Sequence, residues 1–123
     1  MKNSSRQTPI SVSLGVIGGS GAYDLLANET LGENVETFTL ETPFGKSAPV
    51  HHFRAGKLEY LFLSRHGEKD YTITAPFVNY RANIYALKEC GVERIISWSG
   101  PGIINTSFKP GDYAIPSDVI YET

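Results

Sequence analysis

Apolar and polar positions alternate differently in the two halves of the chain, and the first half predicts strands. Residues 12–17 form a short apolar-rich run that stops at a glycine-rich turn, 18–21, as a buried strand does where it ends. Polar and apolar residues alternate over 35–42, and the run 50–54 can pair with 58–64 across a short connection that contains a glycine. This half therefore predicts two strands followed by an antiparallel hairpin.

The spacing of apolar residues becomes helical between 75 and 90. Thr74 can cap the start of this predicted helix, Pro76 suits its first turn, and Gly91 suits its exit. One face of the helix carries Val78, Ala82, Tyr85, Ala86 and Cys90. A thiol on the apolar face of a helix is more often buried and inert than nucleophilic, so we expect Cys90 to belong to the core.

Two further apolar stretches follow the helix. Residues 92–99 predict a buried strand, and 113–121 predict one or two more, interrupted by Pro116. The order strand, hairpin, helix, strand predicts an α/β fold, a mixed twisted β-sheet flanked by helices. We expect a domain over 12–123, preceded by a flexible N-terminal arm at 1–11 that lacks an apolar core of signal-peptide length.

Composition narrows the classes of partner. The chain has 123 residues, 41% hydrophobic and 20% charged, which is typical of a soluble globular domain. Its formal net charge of -2 gives no reason to expect nucleic acid or an anionic membrane as a partner, and no apolar run is long enough to span a bilayer. Cys90 is the single cysteine, which excludes an intrachain disulfide and favours a reducing cytoplasmic compartment.

Candidate chemistry gathers where three predicted strands end. Their exits read Gly-Gly-Ser-Gly, Ser-Arg-His-Gly and Ser-Trp-Ser-Gly, and they supply Ser20, Arg65, His66 and Ser99. Ligands of open α/β sheets bind outside the carboxyl ends of strands, and glycine-rich turns there can direct successive N–H groups at one anion. If the three ends converge, these side chains surround an oxyanion, with the guanidinium as a permanent charge. We interpret the group as an inorganic phosphate or phosphoryl site.

Each exit also has a plainer interpretation. The glycine cluster at 18–21 can be only a tight turn, and the Arg65-His66 pair can be a surface loop with a capping role. The run 99–102, Ser-Gly-Pro-Gly, can be only a chain reversal. The joint occurrence of the three exits favours the phosphate site over any one of these alternatives.

Two nucleotide-binding motifs fail when they are aligned with the sequence. The turn after the first strand would begin a dinucleotide fingerprint, but the third glycine falls on Asp24 and no helix with a clear period follows. Gly45-Lys46-Ser47 is similar to the end of a P-loop, yet the first glycine of that motif would fall on Leu40. NAD and ATP sites of these kinds are therefore disfavoured.

Metal and covalent chemistry are also disfavoured. His51 and His52 are adjacent, so in a strand they point to opposite faces and cannot hold one metal together. An edge strand with one solvated imidazole is the more ordinary interpretation. No Ser-His-Asp arrangement stands out, so we expect no covalent catalysis. Trp98 could stack on a base, but a large aromatic residue at the end of a central strand usually belongs to the core.

The sequence also resembles a known family. The segments VIGGSGAYDL, ETPFGKSAPV, FLSRHGEKD, VNYRANIYALKECGVERII and FKPGDYAIPSDVI occur in an order and spacing that resemble the N-terminal half of the methylthioadenosine phosphorylases, within the purine nucleoside phosphorylase family. SRHG and NYRAN together favour the methylthioadenosine branch.

This resemblance implies phosphorolysis by a pentosyltransferase. Phosphate attacks the anomeric carbon of a purine nucleoside such as methylthioadenosine or methylthioinosine, and the products are the free purine and a sugar 1-phosphate. The family's phosphate ligands correspond to Ser20, Arg65, His66, Ser99 and the Gly100 amide. It implies no cofactor or metal, with inorganic phosphate as co-substrate, no covalent intermediate, and a trimer or hexamer of identical chains.

The family's chains are longer, and most of their contacts to purine and sugar come from the part with no counterpart here. We therefore expect 12–123 to be an incomplete domain that exposes a sheet edge and apolar surface. A separate polypeptide carrying the C-terminal half is an expected partner. The competing hypothesis is a non-catalytic anion-binding or oligomerising module derived from the same fold.

Overall fold

The computed structural model describes residues 4–5, 10–70 and 72–122, and its centre is a six-stranded sheet. In chain order the strands are β1 (Ser4–Ser5), β2 (Leu14–Gly18), β3 (Glu33–Thr39), β4 (Glu41–Thr42), β5 (Gly45–Lys46), β6 (Val50–Ala55), β7 (Leu58–Ser64) and β8 (Arg94–Trp98). The helices are α1 (Ala22–Ala27), α2 (Tyr80–Glu89) and one 3-10 turn at Ala75–Phe77.

The sheet is mixed, as the order of elements predicts. Its strands lie in the order β1, β3, β6, β7, β2, β8. The middle strands β3, β6 and β7 pair antiparallel, whereas β7, β2 and β8 run parallel to one another. The carboxyl ends of these three parallel strands therefore lie on one edge of the sheet. Strands β2 and β8 fall within two residues of the predicted strands at 12–17 and 92–99.

The predicted hairpin is confirmed, and the strand before it is shorter than predicted. β6 and β7 pair antiparallel with Ala55 opposite Leu58. The run 35–42 is divided, because β3 ends at Thr39 and β4 turns back on β5 as a separate small hairpin. Gly45, with φ of 97°, takes the left-handed conformation that this turn needs.

The predicted helix is divided near its start. Pro76 lies in the 3-10 turn, and Val78 is extended with ψ of 123°, so the α-helix begins only at Tyr80. The cap is Asn79, whose Oδ1 accepts a hydrogen bond from the Ala82 N–H at 3.2 Å. The exit is as predicted, since Gly91 has φ of 83°.

Alternate residues of β7 belong to two apolar clusters, one on each face of the sheet. Leu61 and Leu63 pack with Leu87 of α2, and Cys90 is buried there as expected. The other face holds Tyr60 and Phe62 with Ala22 of α1. Helices thus cover both faces, which confirms the predicted fold class. The pattern indicated no helix after the glycine turn; α1 has six residues, too few to show a period.

The prediction of strands at 113–121 is wrong. Residues 99–122 contain no strand and every one of them is exposed, so their apolar side chains find no cover. All five residues of β8 are exposed as well, which confirms the expected sheet edge and apolar surface. Trp98 is 49% exposed rather than part of the core, and its ring contacts Tyr113 edge to face.

The edge-strand interpretation of the paired histidines is also wrong. β6 lies between β3 and β7, and both His51 and His52 are 7% exposed. Polar partners explain their burial. The His52 Nε2 lies 3.0 Å from a Glu59 carboxylate oxygen, and His51 contacts the Glu68 carboxylate.

Part of the predicted arm at 1–11 takes part in the sheet. β1 pairs parallel with β3 at Phe38 and Thr39, and Ile10 packs against the core beside α2. The remaining positions, 1–3 and 6–9, lie outside the described residues.

Candidate functional site

Backbone hydrogen bonds bring the three predicted strand exits together. Gly18, the last residue of β2, pairs with Ser64 of β7 on one side and Trp98 of β8 on the other. The Arg65 N–H donates to the Gly18 carbonyl at 3.0 Å, and the Gly19 N–H donates to the Trp98 carbonyl at 2.7 Å. The chain segments that follow the three strands therefore begin side by side, at Arg65, Gly19 and Ser99.

The guanidinium of Arg65 lies against the glycine turn. A Cβ placed on Gly19 would be 2.8 Å from Arg65 Nη2 and 2.7 Å from the Trp98 carbonyl oxygen. Such distances leave no room for a side chain, so glycine at this position is what lets the cation approach the end of β2. A permanent charge beside a glycine-rich turn at the end of a strand is an arrangement that suits an oxyanion.

His66 is buried behind this cation, at 3% exposure. Its Nδ1 lies 2.8 Å from the Ile73 carbonyl oxygen, so Nδ1 carries a proton and donates. Its Nε2 accepts from the Arg65 Nε at 3.1 Å. His66 thus accepts a hydrogen bond from Arg65 and orients it, and contact of His66 with an anion stays a prediction.

Further hydrogen bonds hold the loop that carries the pair. The Ser64 hydroxyl donates to the Gly67 carbonyl, and the Ile73 N–H donates to the His66 carbonyl at 2.9 Å. Glu68 is held by the buried His51 of β6. The cationic side of the candidate site is therefore fixed by its own loop and by the neighbouring strand.

The other predicted ligands lie on the open side of the strand ends. Ser20 and Ser99 are exposed, and so is Gly100. A Cβ on Gly100 would meet no atom within 4 Å, so nothing crowds its amide. The structure brings their backbones to the edge that Arg65 occupies, and their contact with phosphate stays a prediction.

A cleft of about 230 Å³, here called the α2 cleft, lies beside this edge. It is lined by Lys46, Ser47, Ala48, Pro49, Ser64, Arg65, Gly67, Ile73, Phe77, Asn79 and Asn83. Arg65 belongs to both the cleft and the strand-end group, whereas Ser20 and Ser99 line only the open edge. The sequence pattern alone assigns no site role to Lys46 or Asn83, and NYRAN contributes only to the family resemblance.

A metal-binding cluster and a membrane-spanning helix are both absent from the described part of the chain. No three His, Cys, Asp or Glu side chains there gather as they would around a metal ion. None of the helices in 10–70 and 72–122 has the length and apolarity needed to cross a membrane.

Fold and strand ends together define the class of protein. It is an α/β protein with an open, mixed sheet. A fixed guanidinium and a glycine turn meet at the carboxyl ends of its adjacent parallel strands.

Comparison with known proteins identifies the family. Residues 13–123 match the model of the phosphorylase superfamily, and the chain belongs to that superfamily. The 6-oxopurine nucleoside phosphorylase of Pyrococcus furiosus is 43% identical over 107 residues, which cover 87% of this chain and 38% of that protein. The S-methyl-5'-thioadenosine phosphorylase of Thermococcus kodakarensis is 42% identical over 108 residues, covering 87% of this chain and 39% of that protein.

Solved structures give the same result. A methylthioadenosine phosphorylase from Schistosoma mansoni, in complex with adenine, superposes with a TM-score of 0.61 at 36% identity, over 71% of this chain and 30% of that one. The resemblance drawn from the motifs is confirmed. The chain spans less than two fifths of the length of the two curated relatives described above.

Proposed function

We propose that this chain supplies the phosphate-binding part of a purine nucleoside phosphorylase, which uses inorganic phosphate to cleave the N-glycosidic bond. One observation carries the proposal: the Arg65 guanidinium lies on the backbone of Gly19 where β7, β2 and β8 end together. Membership of the phosphorylase superfamily supports it independently.

The reaction needs a phosphate held in one orientation below a sugar carbon. As the bond to the purine breaks, that carbon becomes oxocarbenium-like, and a fixed anion beside it both stabilises the charge and attacks. Positioning and preorganised donors supply most of such an effect. Arg65 binds and orients the phosphate, and His66 holds the guanidinium in place through its Nε2.

Exposed donors complete the proposed phosphate site. Ser20, Ser99 and Gly100 follow the same strand ends and are exposed, and we assign the two hydroxyls and the Gly100 amide to the phosphate. No group forms a covalent bond to the substrate, and the reaction uses inorganic phosphate as co-substrate with no cofactor or metal.

Relatives suggest the substrates. Their names include 6-oxopurine nucleoside and S-methyl-5'-thioadenosine phosphorylases, so the purine nucleoside is the shared substrate class. Within it we propose methylthioadenosine or methylthioinosine, in the cytoplasm. The purine and sugar contacts come from polypeptide that corresponds to the remaining length of the relatives. The active form is a trimer or hexamer.

A chimera tests this proposal. Residues 13–122 of this chain replace the matched segment of the Thermococcus kodakarensis S-methyl-5'-thioadenosine phosphorylase. We expect phosphate-dependent release of adenine from methylthioadenosine, followed by absorbance and by the sugar 1-phosphate formed. A folded chimera of native size that releases no purine from methylthioadenosine, methylthioinosine or inosine would support the non-catalytic anion-binding module instead.

Arg65→Ala in the chimera tests the role of the cation. We expect kcat/KM for phosphate to fall about 10²-fold, because one preorganised charge is lost. Arg81→Ala is the matched control, since Arg81 is exposed on α2 beside Tyr80 and should leave the rate unchanged. Equal effects of the two substitutions would remove Arg65 from the phosphate site.

A further inference from the structure

The α2 cleft is lined by a buried amide donor that has no acceptor among the described residues. Asn83 is 4% exposed, and its Oδ1 accepts a hydrogen bond from the Ala48 N–H at 2.8 Å. Its NH₂ group makes no hydrogen bond to any residue in 10–70 or 72–122. Buried amide donors are rarely left unpaired, so this group indicates a place where a ligand supplies the acceptor.

The charges around the cleft indicate that this acceptor is anionic. Lys46 and Arg65 line the cleft, and the lining includes no Asp or Glu. The Lys46 ammonium has no ion pair or hydrogen bond to the described residues. The lining therefore contains two cationic residues and a neutral donor, and Glu41, which pairs with Lys46 across the β4–β5 hairpin, is not part of it. This composition favours an oxyanion.

Three further residues of the lining have large apolar side chains. Pro49, Ile73 and Phe77 form this side of the cleft. A site that combines apolar walls with a few convergent polar groups is typical of small-molecule binding. The cleft volume of about 230 Å³ suits a compact molecule with one anionic end.

The walls of the cleft are held in place before any ligand binds. The Asn79 Nδ2 donates to the Phe44 carbonyl at 2.8 Å, and the Phe44 ring meets Tyr85 of α2 edge to face, with centroids 6.1 Å apart. The segment that carries Lys46 is thus fixed on α2 at Phe44 and again at Ala48. A preformed site loses less entropy on binding.

We propose that the α2 cleft binds a small organic anion. Its phosphate or carboxylate lies between the Asn83 NH₂, Lys46 and Arg65, and its apolar part lies against Pro49 and Phe77. The site is separate from the strand-end group, which includes Ser20 and Ser99, although Arg65 contributes to both. The inference does not depend on the proposed phosphorolysis.

Nuclear magnetic resonance of the full chain tests the proposal with phenyl phosphate as probe. We expect the Asn83 side-chain NH₂ signals and the backbone amides of Ala48 and Gly67 to shift on titration. Benzoate, which has the same two features, should shift them as well. Benzyl alcohol, which is neutral, should not. Equal shifts with benzyl alcohol, or no shift of the Asn83 signals with phenyl phosphate, would overturn the proposal.

Substitutions test which residues of the α2 cleft bind phenyl phosphate. Lys46→Gln removes an exposed charge and should weaken phenyl phosphate about tenfold, as expected for one charge-assisted hydrogen bond. Lys57→Gln, in the exposed turn between β6 and β7, is the matched control and should have no effect. Asn83→Asp keeps an acceptor for the Ala48 N–H but replaces the NH₂ with a negative charge, so binding should be lost. Unchanged affinity in Lys46→Gln would contradict the proposal even if the Asp variant does not fold.

Ser99→Ala separates this inference from the proposed function. It should weaken inorganic phosphate at the strand ends and leave phenyl phosphate at the cleft unchanged. Loss of both by the same factor would mean that the cleft is not a site of its own.

Discussion

The two ends of the candidate phosphate site differ in how the chain holds them. At the β7 end, Arg65 is fixed to Gly18, Gly19 and the buried His66. At the β8 end, Ser99 follows a strand whose five residues are all exposed. This chain therefore fixes the Arg65 guanidinium through its own contacts, whereas Ser99 lies on a surface that no other part of the described chain covers.

Burial of the two strands explains the difference. β7 has apolar cover on both faces, with Leu61 on the α2 side and Phe62 on the α1 side. β8 pairs with β2 along one edge only, and Ile96 is 53% exposed. A strand packed on both faces holds its last residue more rigidly than a strand that has only one paired edge.

The largest expected effect compares the cores of the two strands. Leu61→Ala should lower the free energy of unfolding by about 2–5 kcal/mol, because it leaves a cavity among fully buried side chains. Ile96→Ala should change it by no more than about 0.5 kcal/mol. Urea denaturation followed by circular dichroism measures both. Similar losses would mean that β8 is covered in solution.

The sequence predicted correctly the features that depend on neighbouring residues, and it failed for features that depend on residues distant in the chain. The β6–β7 hairpin and the exit at Gly91 follow from neighbouring residues, and both were predicted correctly. The burial of His51 was not, because strand order is a non-local property. The predicted strands at 113–121 failed because apolar alternation forms a strand only where a partner strand exists.

The candidate site divides in the same way. Glycine-rich exits after buried strands predicted that the three ends meet, because parallel strands share an edge. The contact of His66 with Ile73 was not predictable, since it depends on how the loop after β7 folds back. The unpaired Asn83 NH₂ likewise becomes visible only when the packing of α2 on Ala48 is known.

A smaller effect is expected from the two glycines at the site. Gly19→Ala would place a methyl group 2.7 Å from the Trp98 carbonyl oxygen and 2.8 Å from Arg65 Nη2, so the end of β8 and the guanidinium must both shift. Phosphate affinity should then fall about tenfold, as for a displaced charge-assisted contact. Gly100→Ala meets open space and should leave affinity unchanged. Titration calorimetry with inorganic phosphate compares them, and a larger loss for Gly100→Ala would reverse the comparison of the two ends.

The smallest expected effect is on the pH dependence of the stability of the β6–β7 hairpin. A side-chain hydrogen bond from Arg54, and a second from His52, hold the pKa of Glu59 below its ordinary value of 4.5. Because the folded pKa is the lower one, the contact stabilises the fold above the ordinary value and is lost as the pH falls through the folded value. Exposure of Glu59 and screening by salt keep this contribution small.

Glu59→Gln checks that contribution. Urea midpoints should be lower for the variant than for the unmodified chain at about pH 7, and the difference should disappear by about pH 3. A difference that grows as the pH falls would show that the sign is wrong.

The most direct measurement is a crystal structure of the chain with inorganic phosphate. The account predicts one phosphate at the carboxyl ends of β7, β2 and β8, bound by the Arg65 guanidinium, with the Ser20 and Ser99 hydroxyls within hydrogen-bond distance. It is contradicted if Arg65, Ser20 and Ser99 are well ordered and phosphate binds elsewhere, or if the three side chains lie on separate surfaces of an intact sheet.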